Sequence, residues 1–164
     1  MIILKKLSAN DGMDIFLLLK EIGEYENSFY NPVACMDFEQ FKKWLVIQEQ
    51  WSQSINLPEH YVGQTIFWLY DGDNPVGVGK IRNELTDESR KKGGNIGFAI
   101  SRKNRNKGYG KILLSLLLKE AKKMNVEEIL ITIDKFNYAS KKVTEECGGV
   151  CIKESEDIWY YSVL

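Results

Sequence analysis

Apolar residues that alternate with polar ones, or continue unbroken for a few positions, mark the strands of this chain. A strand shows a period of two or a short apolar run bounded by turn residues. On this basis we predict strands at 2–7, 61–70, 76–85, 93–100, 126–134, 150–153 and 158–164. The turn sequence DGDNP at 71–75 joins the second and third of these strands as a hairpin.

Helical spacing of apolar residues fills the intervening segments. The first helix follows Asn10 or Asp11 as its cap, and its apolar residues include Met13, Phe16, Leu17 and Leu19. Further helices are predicted at 37–48, with Asp37 as the cap, at 108–124 and at 137–147. The charged segment 86–92 predicts a solvated loop. The order β-α-α-β-β-β-α-β-α-β-β indicates a single α/β domain over 1–164, with a mixed sheet and helices on its faces.

Composition narrows the classes of partner. A formal net charge of −1 gives no general attraction to nucleic acid, and no apolar run approaches the roughly 18 residues of a membrane span. The lysines among residues 1–7 lie inside the apolar stretch, unlike those of a secretory signal. The odd cysteine count (Cys35, Cys147, Cys151) indicates free thiols in a reducing cytoplasm and no metal site. The single histidine, His60, is expected at the surface.

The segment RNKGYG at 105–110 lies between a predicted strand and a predicted helix. Main-chain N–H groups at a helix N-terminus are unpaired, and the helix dipole favours an anion there. Gly108 and Gly110 have no Cβ, so a diphosphate can approach the main chain closely. Arg105 and Lys107 add positive charge. The segment therefore predicts a site for a phosphorylated cofactor.

Three glycine-rich patterns compete for this segment. The triphosphate-binding loop requires a first glycine at 105 and a hydroxyl at 112, where the chain has Arg105 and Ile112. The dinucleotide fingerprint requires a third glycine, where the chain has Leu113. The pattern Arg/Gln-x-x-Gly-x-Gly/Ala matches at all three defining positions.

With this pattern the chain resembles the GNAT superfamily of acyl-CoA-dependent N-acyltransferases. Within it, the chain is similar to a bacterial branch of predicted acetyltransferases, through RNEL at 82–85, GGNIGF at 93–98, and NYAS at 137–140 in a helix that ends in Gly148-Gly149. The resemblance implies a mostly antiparallel central sheet of about six to seven strands with helices on both faces. It also implies acetyl-CoA or coenzyme A as the cofactor.

The resemblance places the cofactor as follows. The diphosphate would lie on the main chain of the loop, which comprises Arg105, Asn106, Lys107, Gly108, Tyr109, Gly110 and Lys111. The pantetheine arm would pair like an additional strand with Phe98, Ala99 and Ile100, in a gap between splayed strands. Asn137, with Ser140 on the same helix, would hydrogen-bond the arm from the far side. A main-chain N–H near Phe98 or Ala99 would stabilise the oxyanion.

The resemblance assigns fewer residues to proton transfer than to cofactor binding. Many members of the superfamily protonate the leaving thiolate with a tyrosine seven positions after the asparagine, and that position is Thr144 here, a poor acid. Tyr138 is a nearby candidate, and water is another. For the base we predict Glu84, on the strand next to the cofactor strand, against the alternative of an ordinary exposed glutamate.

The acceptor region is expected to follow the first helix. Tyr25, Phe29 and Tyr30 would cover the acceptor or pack in the core. Arg82 would bind an acidic group of the acceptor or pair with Glu84, and Asn95 is either similarly placed or a strand-edge residue. The three glutamates that lie nearby would favour a cationic amine or form a solvated helix face; they are Glu21, Glu24 and Glu26.

The predicted function is transfer of an acetyl group from acetyl-CoA to a primary amine, by direct transfer in a ternary complex. The acceptor would be a small molecule or a peptide, with no nucleic acid or membrane partner, and a homodimer is possible. The alternative is a non-catalytic acyl-CoA-binding sensor or regulatory module. It stays open because Thr144 stands where many members of the superfamily have the acidic tyrosine.

Overall fold

The structure is a computed structural model that describes all residues from 1 to 164. Its strands are β1 Ile2–Lys6, β2 Tyr25–Glu26, β3 Phe29–Tyr30, β4 Gln64–Asp71, β5 Asn74–Arg82, β6 Ile96–Ile100, β7 Ile129–Asp134, β8 Val150–Glu154 and β9 Ile158–Val163. Its helices are α1 Met13–Ile22, α2 Phe38–Ser52, α3 Asp87–Lys91, α4 Tyr109–Lys123 and α5 Tyr138–Glu146, with short 3-10 turns at Pro32–Cys35 and Arg102–Asn104.

The strands form two main sheets and a small hairpin. A four-stranded sheet has the order β1-β4-β5-β6, and a three-stranded sheet has the order β7-β9-β8. Every hydrogen-bonded pair within them is antiparallel. The predicted α/β class and strand number are confirmed, and the sheet is divided between β6 and β7.

Asn95, immediately before β6, joins the two sheets. Its N–H donates to the carbonyl of Leu130 (2.7 Å), and its Oδ1 accepts from the Leu130 N–H (2.8 Å). Its Nδ2 donates to the Arg82 carbonyl on β5 (3.0 Å). Asn95 is 3 % exposed, so a single buried amide holds both sheets at this point. Beyond it, β6 and β7 separate without a ladder.

Alternation along β4 places apolar side chains on both faces of the larger sheet. Phe67 and Leu69 belong to a core with the leucines of α4, whereas Trp68 belongs to a second core with residues of α1 and α2, including Phe41. This period-two alternation follows from strand geometry. The helices therefore cover both faces of the sheet, as expected.

Local predictions differ from the structure in three places. The N-cap of α1 is Gly12, without a side-chain bond, because the Asp11 carboxylate accepts from the Ser8 N–H and from Trp68 Nε1 instead. Segment 86–92 is not a loop, since Thr86 and Ser89 form a capping box that begins α3. The hairpin β2–β3 was not predicted at all.

Two other predictions are confirmed. Asp37 caps α2 in a reciprocal capping box with Gln40, and all three cysteines are free thiols. None of the helices combines the length and apolarity that crossing a membrane requires.

Candidate active site

The gap between β6 and β7 is a cleft of about 580 Å³. Its walls come from the cleft side of β6, from Ile131, Thr132 and Ile133 of β7, from one side of α5, and from the hairpin β2–β3. The loop between β6 and α4 lines its mouth. The structure thus brings together in one cavity the cofactor residues that the sequence predicted on three separate segments, with the exception of Lys107.

The register between β5 and β6 shows which main-chain groups of β6 are free. The Arg82 N–H donates to the Asn95 carbonyl (2.8 Å), and the Ser101 N–H donates to the Val76 carbonyl (3.0 Å). The register between these two bonds is regular. In an antiparallel ladder, the residues that face the partner strand alternate with those that face away.

This alternation directs the main-chain groups of Gly97 and Ala99 towards β5. The N–H and C=O groups of Ile96, Phe98 and Ile100 then face the cleft, on an edge that no strand covers. Of the two residues predicted as oxyanion donors, Phe98 therefore has the free N–H group.

The loop before α4 carries a series of unpaired donors. None of the main-chain N–H groups from 106 to 111 has an acceptor in the protein. Gly108 is the N-cap of α4 in a left-handed conformation (φ 85°), with no side-chain cap. A Cβ at Gly108 would meet nothing within 4 Å. These donors, at the positive end of the α4 dipole, are suited to an anion.

Two of the three charged side chains of the loop are already paired with glutamates. Arg105 forms a bidentate pair with Glu26 (2.6 and 3.0 Å), and its Nε donates to the Ile100 carbonyl (3.1 Å). The hydrogen bond from Arg105 holds the pKa of Glu26 below its ordinary value. Lys111 lies 3.2 Å from Glu146. The positive charge predicted from Arg105 is therefore compensated by the hairpin.

Asn137 and Ser140 lie where α5 faces the cleft. Asn137 caps the helix: its Oδ1 accepts from the Ser140 N–H (3.3 Å), and its Nδ2 donates to Ser140 Oγ (3.0 Å). The second hydrogen of Nδ2 remains available for a ligand. Its bond to the pantetheine arm stays a prediction.

The side chains considered for proton transfer lie outside the cleft. Glu84 is exposed and is not on a strand, because β5 ends at Arg82. Tyr138 is 63 % exposed, and its ring lies 5.7 Å from that of Trp159. Thr144 is fully buried, and its Oγ has no partner. None of the three is among the residues that line the cavity.

The predicted acceptor residues divide between the cleft and its surroundings. Phe29 lines the cleft, whereas Tyr25 and Tyr30 are 59 % and 55 % exposed on the hairpin. Arg82 does not pair with Glu84; its Nη1 donates to the Gly94 carbonyl (3.1 Å). Asn95 is the buried junction between the sheets rather than a site residue.

Sequence reasoning missed the polar contacts that hold the hairpin over the cleft. Ser28, at its tip, donates to Asp134 at the end of β7, and Glu26 accepts from Arg105. Of the glutamates expected to attract a cationic amine, Glu21 pairs with Lys103 (2.9 Å) and Glu26 with Arg105. No sequence signal indicates these contacts, because the partners are far apart along the chain.

Comparison with known proteins agrees with this geometry. The profile of the acetyltransferase (GNAT) family matches residues 21–149. The chain belongs to this family, and it is an acetyl-CoA-dependent N-acetyltransferase. Among curated protein sequences, none matches the chain.

Solved structures share the fold along nearly the whole chain. The N-acetyltransferase PseH of Campylobacter jejuni, in complex with acetyl coenzyme A, is 16 % identical, with a TM-score of 0.65 over 99 % of this chain and 98 % of that one. The ribosomal-protein-S5-alanine acetyltransferase of Vibrio fischeri is 16 % identical, with a TM-score of 0.72 over 99 % and 92 %. Mutant forms of the spermidine/spermine N-acetyltransferase SpeG of Vibrio cholerae are 18 % identical, with a TM-score of 0.68 over 100 % and 95 %.

Proposed function

We propose that this acetyltransferase acts on a primary amine by direct transfer, with acetyl-CoA and the acceptor bound together. Acetyl-CoA supplies an activated thioester. The observation that carries the proposal is the combination of an uncovered β6 edge with unpaired N–H groups at the start of α4, both on one cleft of about 580 Å³.

The cofactor roles follow from these free groups. The N–H groups of residues 106–111 bind the diphosphate, with the side chains of Lys107 and Lys111 at its rim. The free main-chain groups of Phe98 and the Ile100 N–H pair with the pantetheine arm, and Asn137 holds it from α5. The Phe98 N–H stabilises negative charge on the thioester oxygen.

Proton transfer is assigned to water. No carboxylate with an uncompensated charge lines the cleft, because Glu26 pairs with Arg105 and Glu146 with Lys111. A thiol is acidic enough to leave without a dedicated protein acid. Glu84 and Tyr138, both outside the cleft, therefore keep no role in this proposal.

The acceptor enters beside the hairpin β2–β3, which covers the cleft through Phe29 and Ser28. Relatives acetylate amines as different as spermidine and the alanine of a ribosomal protein, so we propose a small molecule or a peptide as the acceptor. The free thiols support a reducing cytoplasm as its location. A homodimer remains a prediction that sedimentation can measure.

Release of free thiol from acetyl-CoA, followed across a panel of amines, tests the proposal. We expect amine-dependent thiol release, with N-acetylated product seen by mass spectrometry. Coenzyme A affinity is measured in parallel on the same preparation. Micromolar binding with no turnover on any amine would instead support a non-catalytic binding module.

A further inference from the structure

Two cations lie together on β5 without an acidic partner. Lys80 and Arg82 are two positions apart, so their side chains leave the same face of the strand. Both are half-buried. Neither forms an ion pair, in contrast to Arg105 and Lys103 nearby. Charges taken partly out of water are ordinarily paired, so this arrangement requires an explanation.

The contacts of the two cations use few of their donors. Lys80 Nζ donates to the Tyr30 carbonyl (2.7 Å) and lies 4.5 Å from the centre of the Phe29 ring. Arg82 donates once, to the Gly94 carbonyl (3.1 Å). An ammonium has three donors and a guanidinium five, so most remain available. Burial lowers the pKa of Arg82, and burial together with the Arg82 charge lowers that of Lys80 to about 8.

Neither cation lines the cleft, but both lie next to residues that do. Lys80 lies opposite Gly97 in the β5–β6 register, and neighbouring strands are about 4.8 Å apart. A methyl group on Gly93 would lie 3.6 Å from Arg82 Nη1. Gly97, Gly93 and Phe29 all line the cavity. A group bound to the two cations would therefore be within a few bonds of a molecule in the cleft.

The carboxylates near this face are compensated elsewhere. Glu26 pairs with Arg105. Asp134 accepts from Ser28 and lies 3.8 Å from Lys92. The face of β5 under the hairpin therefore has a positive balance, although the glutamates in the sequence suggested an acidic acceptor region.

We propose that Lys80 and Arg82 form an anion subsite for the acceptor, so that the substrate is a small amine that also carries a carboxylate or a phosphate. The ammonium and the guanidinium bind the acidic group beside β5, and the amine reaches the cleft at Gly97 and Phe98. This inference rests on the proposed acetyl transfer and narrows its substrate class.

Matched pairs of amines test the subsite. Phenylalanine and phenethylamine differ by a carboxylate, and O-phosphoethanolamine and ethanolamine differ by a phosphate. We expect kcat/KM to be at least about tenfold higher for the anionic member of one pair, mainly through KM, because the charge-assisted contact acts on binding. The pair with the larger ratio identifies the acidic group. Equal values within both pairs, or a preference for spermidine, would overturn the inference.

Substitution of Lys80 links the preference to this face. In Lys80→Met the ratio within the preferred pair should fall towards one, whereas Lys80→Arg should retain it. Lys119→Met, which removes an exposed lysine on α4, is the control for a general charge effect and should leave the ratio unchanged. An unchanged ratio in a folded Lys80→Met variant contradicts the assignment.

Equilibrium binding separates this inference from the proposed function. The affinity of each amine for the coenzyme A-saturated protein is measured by calorimetry. If the anionic amine binds more tightly but no amine is acetylated, the subsite stands and the proposed function fails. If amines are acetylated but both members of each pair bind equally, the subsite fails and the proposed function stands.

Discussion

The proposed cofactor half and the proposed acceptor half of the cleft are built from different parts of the chain. The cofactor half uses main-chain groups: the cleft-facing edge of β6 and the N–H groups of residues 106–111. The acceptor half is proposed to use side chains: Phe29 of the hairpin β2–β3, which lines the cleft, and Lys80 and Arg82 of β5, which lie beside it. A main-chain site needs particular conformations, whereas a side-chain site needs particular long-range contacts.

The difference appears in the sequence separation of the contacts. The cofactor loop and its helix are consecutive in the chain. By contrast, the hairpin β2–β3 is held by long-range contacts. Its Glu26 accepts from Arg105 across 79 positions, and its Ser28 donates to Asp134 across 106. The cofactor half is therefore fixed by local conformation, and the acceptor half by tertiary packing. The two halves should respond differently to substitution.

Gly94, at the junction of the sheets, is the position on which both halves depend. It has φ +63°, and a Cβ there would lie 2.3 Å from the Leu130 carbonyl oxygen. We expect Gly94→Ala to lower the free energy of unfolding by about 3 kcal/mol, from the left-handed conformation and the collision with the β7 main chain. Urea denaturation measures this loss, and coenzyme A affinity should fall with it.

Gly97→Ala, on β6 three residues after Gly94, is the control. A Cβ at Gly97 would lie 3.7 Å from the Phe29 ring, an ordinary contact. Its cost should be below about 1 kcal/mol. Equal losses for the two variants would mean that the separation of β6 from β7 does not depend on the close approach at Gly94.

Much of the cofactor half could be predicted from sequence because its requirements are local. Gly108 adopts φ 85°, which glycine signals directly, and Asn137 caps the helix that the sequence placed there. The hairpin β2–β3 gave no such signal, since its turn residues Asn27 and Ser28 take positive φ without a glycine. The sequence does not indicate that Arg105 pairs with Glu26 across the fold. Nor does it indicate that β5 ends before Glu84.

Gly108→Glu tests the cofactor half alone. A glutamate there adds negative charge where the diphosphate is proposed to bind, so coenzyme A affinity should fall at least about a hundredfold, or about 2.8 kcal/mol. The fold should persist, because a Cβ at Gly108 meets nothing within 4 Å. Calorimetric titration with coenzyme A gives the affinity.

Gly72→Glu controls for the backbone cost. Gly72 also has positive φ (+59°) and open space around it, in the turn between β4 and β5. Both variants should lose about 1 kcal/mol of stability from the left-handed conformation, but only Gly108→Glu should lose coenzyme A. Unchanged affinity in Gly108→Glu would contradict the placement of the diphosphate and with it the main-chain character of this half.

The smallest expected effect concerns the acceptor half and appears in the pH dependence of stability. The pKa of Lys80 is lowered to about 8 in the folded protein, against about 10.4 when unfolded. Between these values the unfolded state binds more protons, so Lys80 makes stability rise with pH. The parent should therefore gain about 1 kcal/mol relative to Lys80→Met between pH 7 and pH 9.5, a value reduced by the partial exposure of the side chain.

Urea midpoints at both pH values measure the gain, with Lys119→Met as the surface control. A constant difference between parent and Lys80→Met would show that the Lys80 charge is not desolvated, and the contrast between a main-chain cofactor site and a half-buried cationic acceptor site would then be lost.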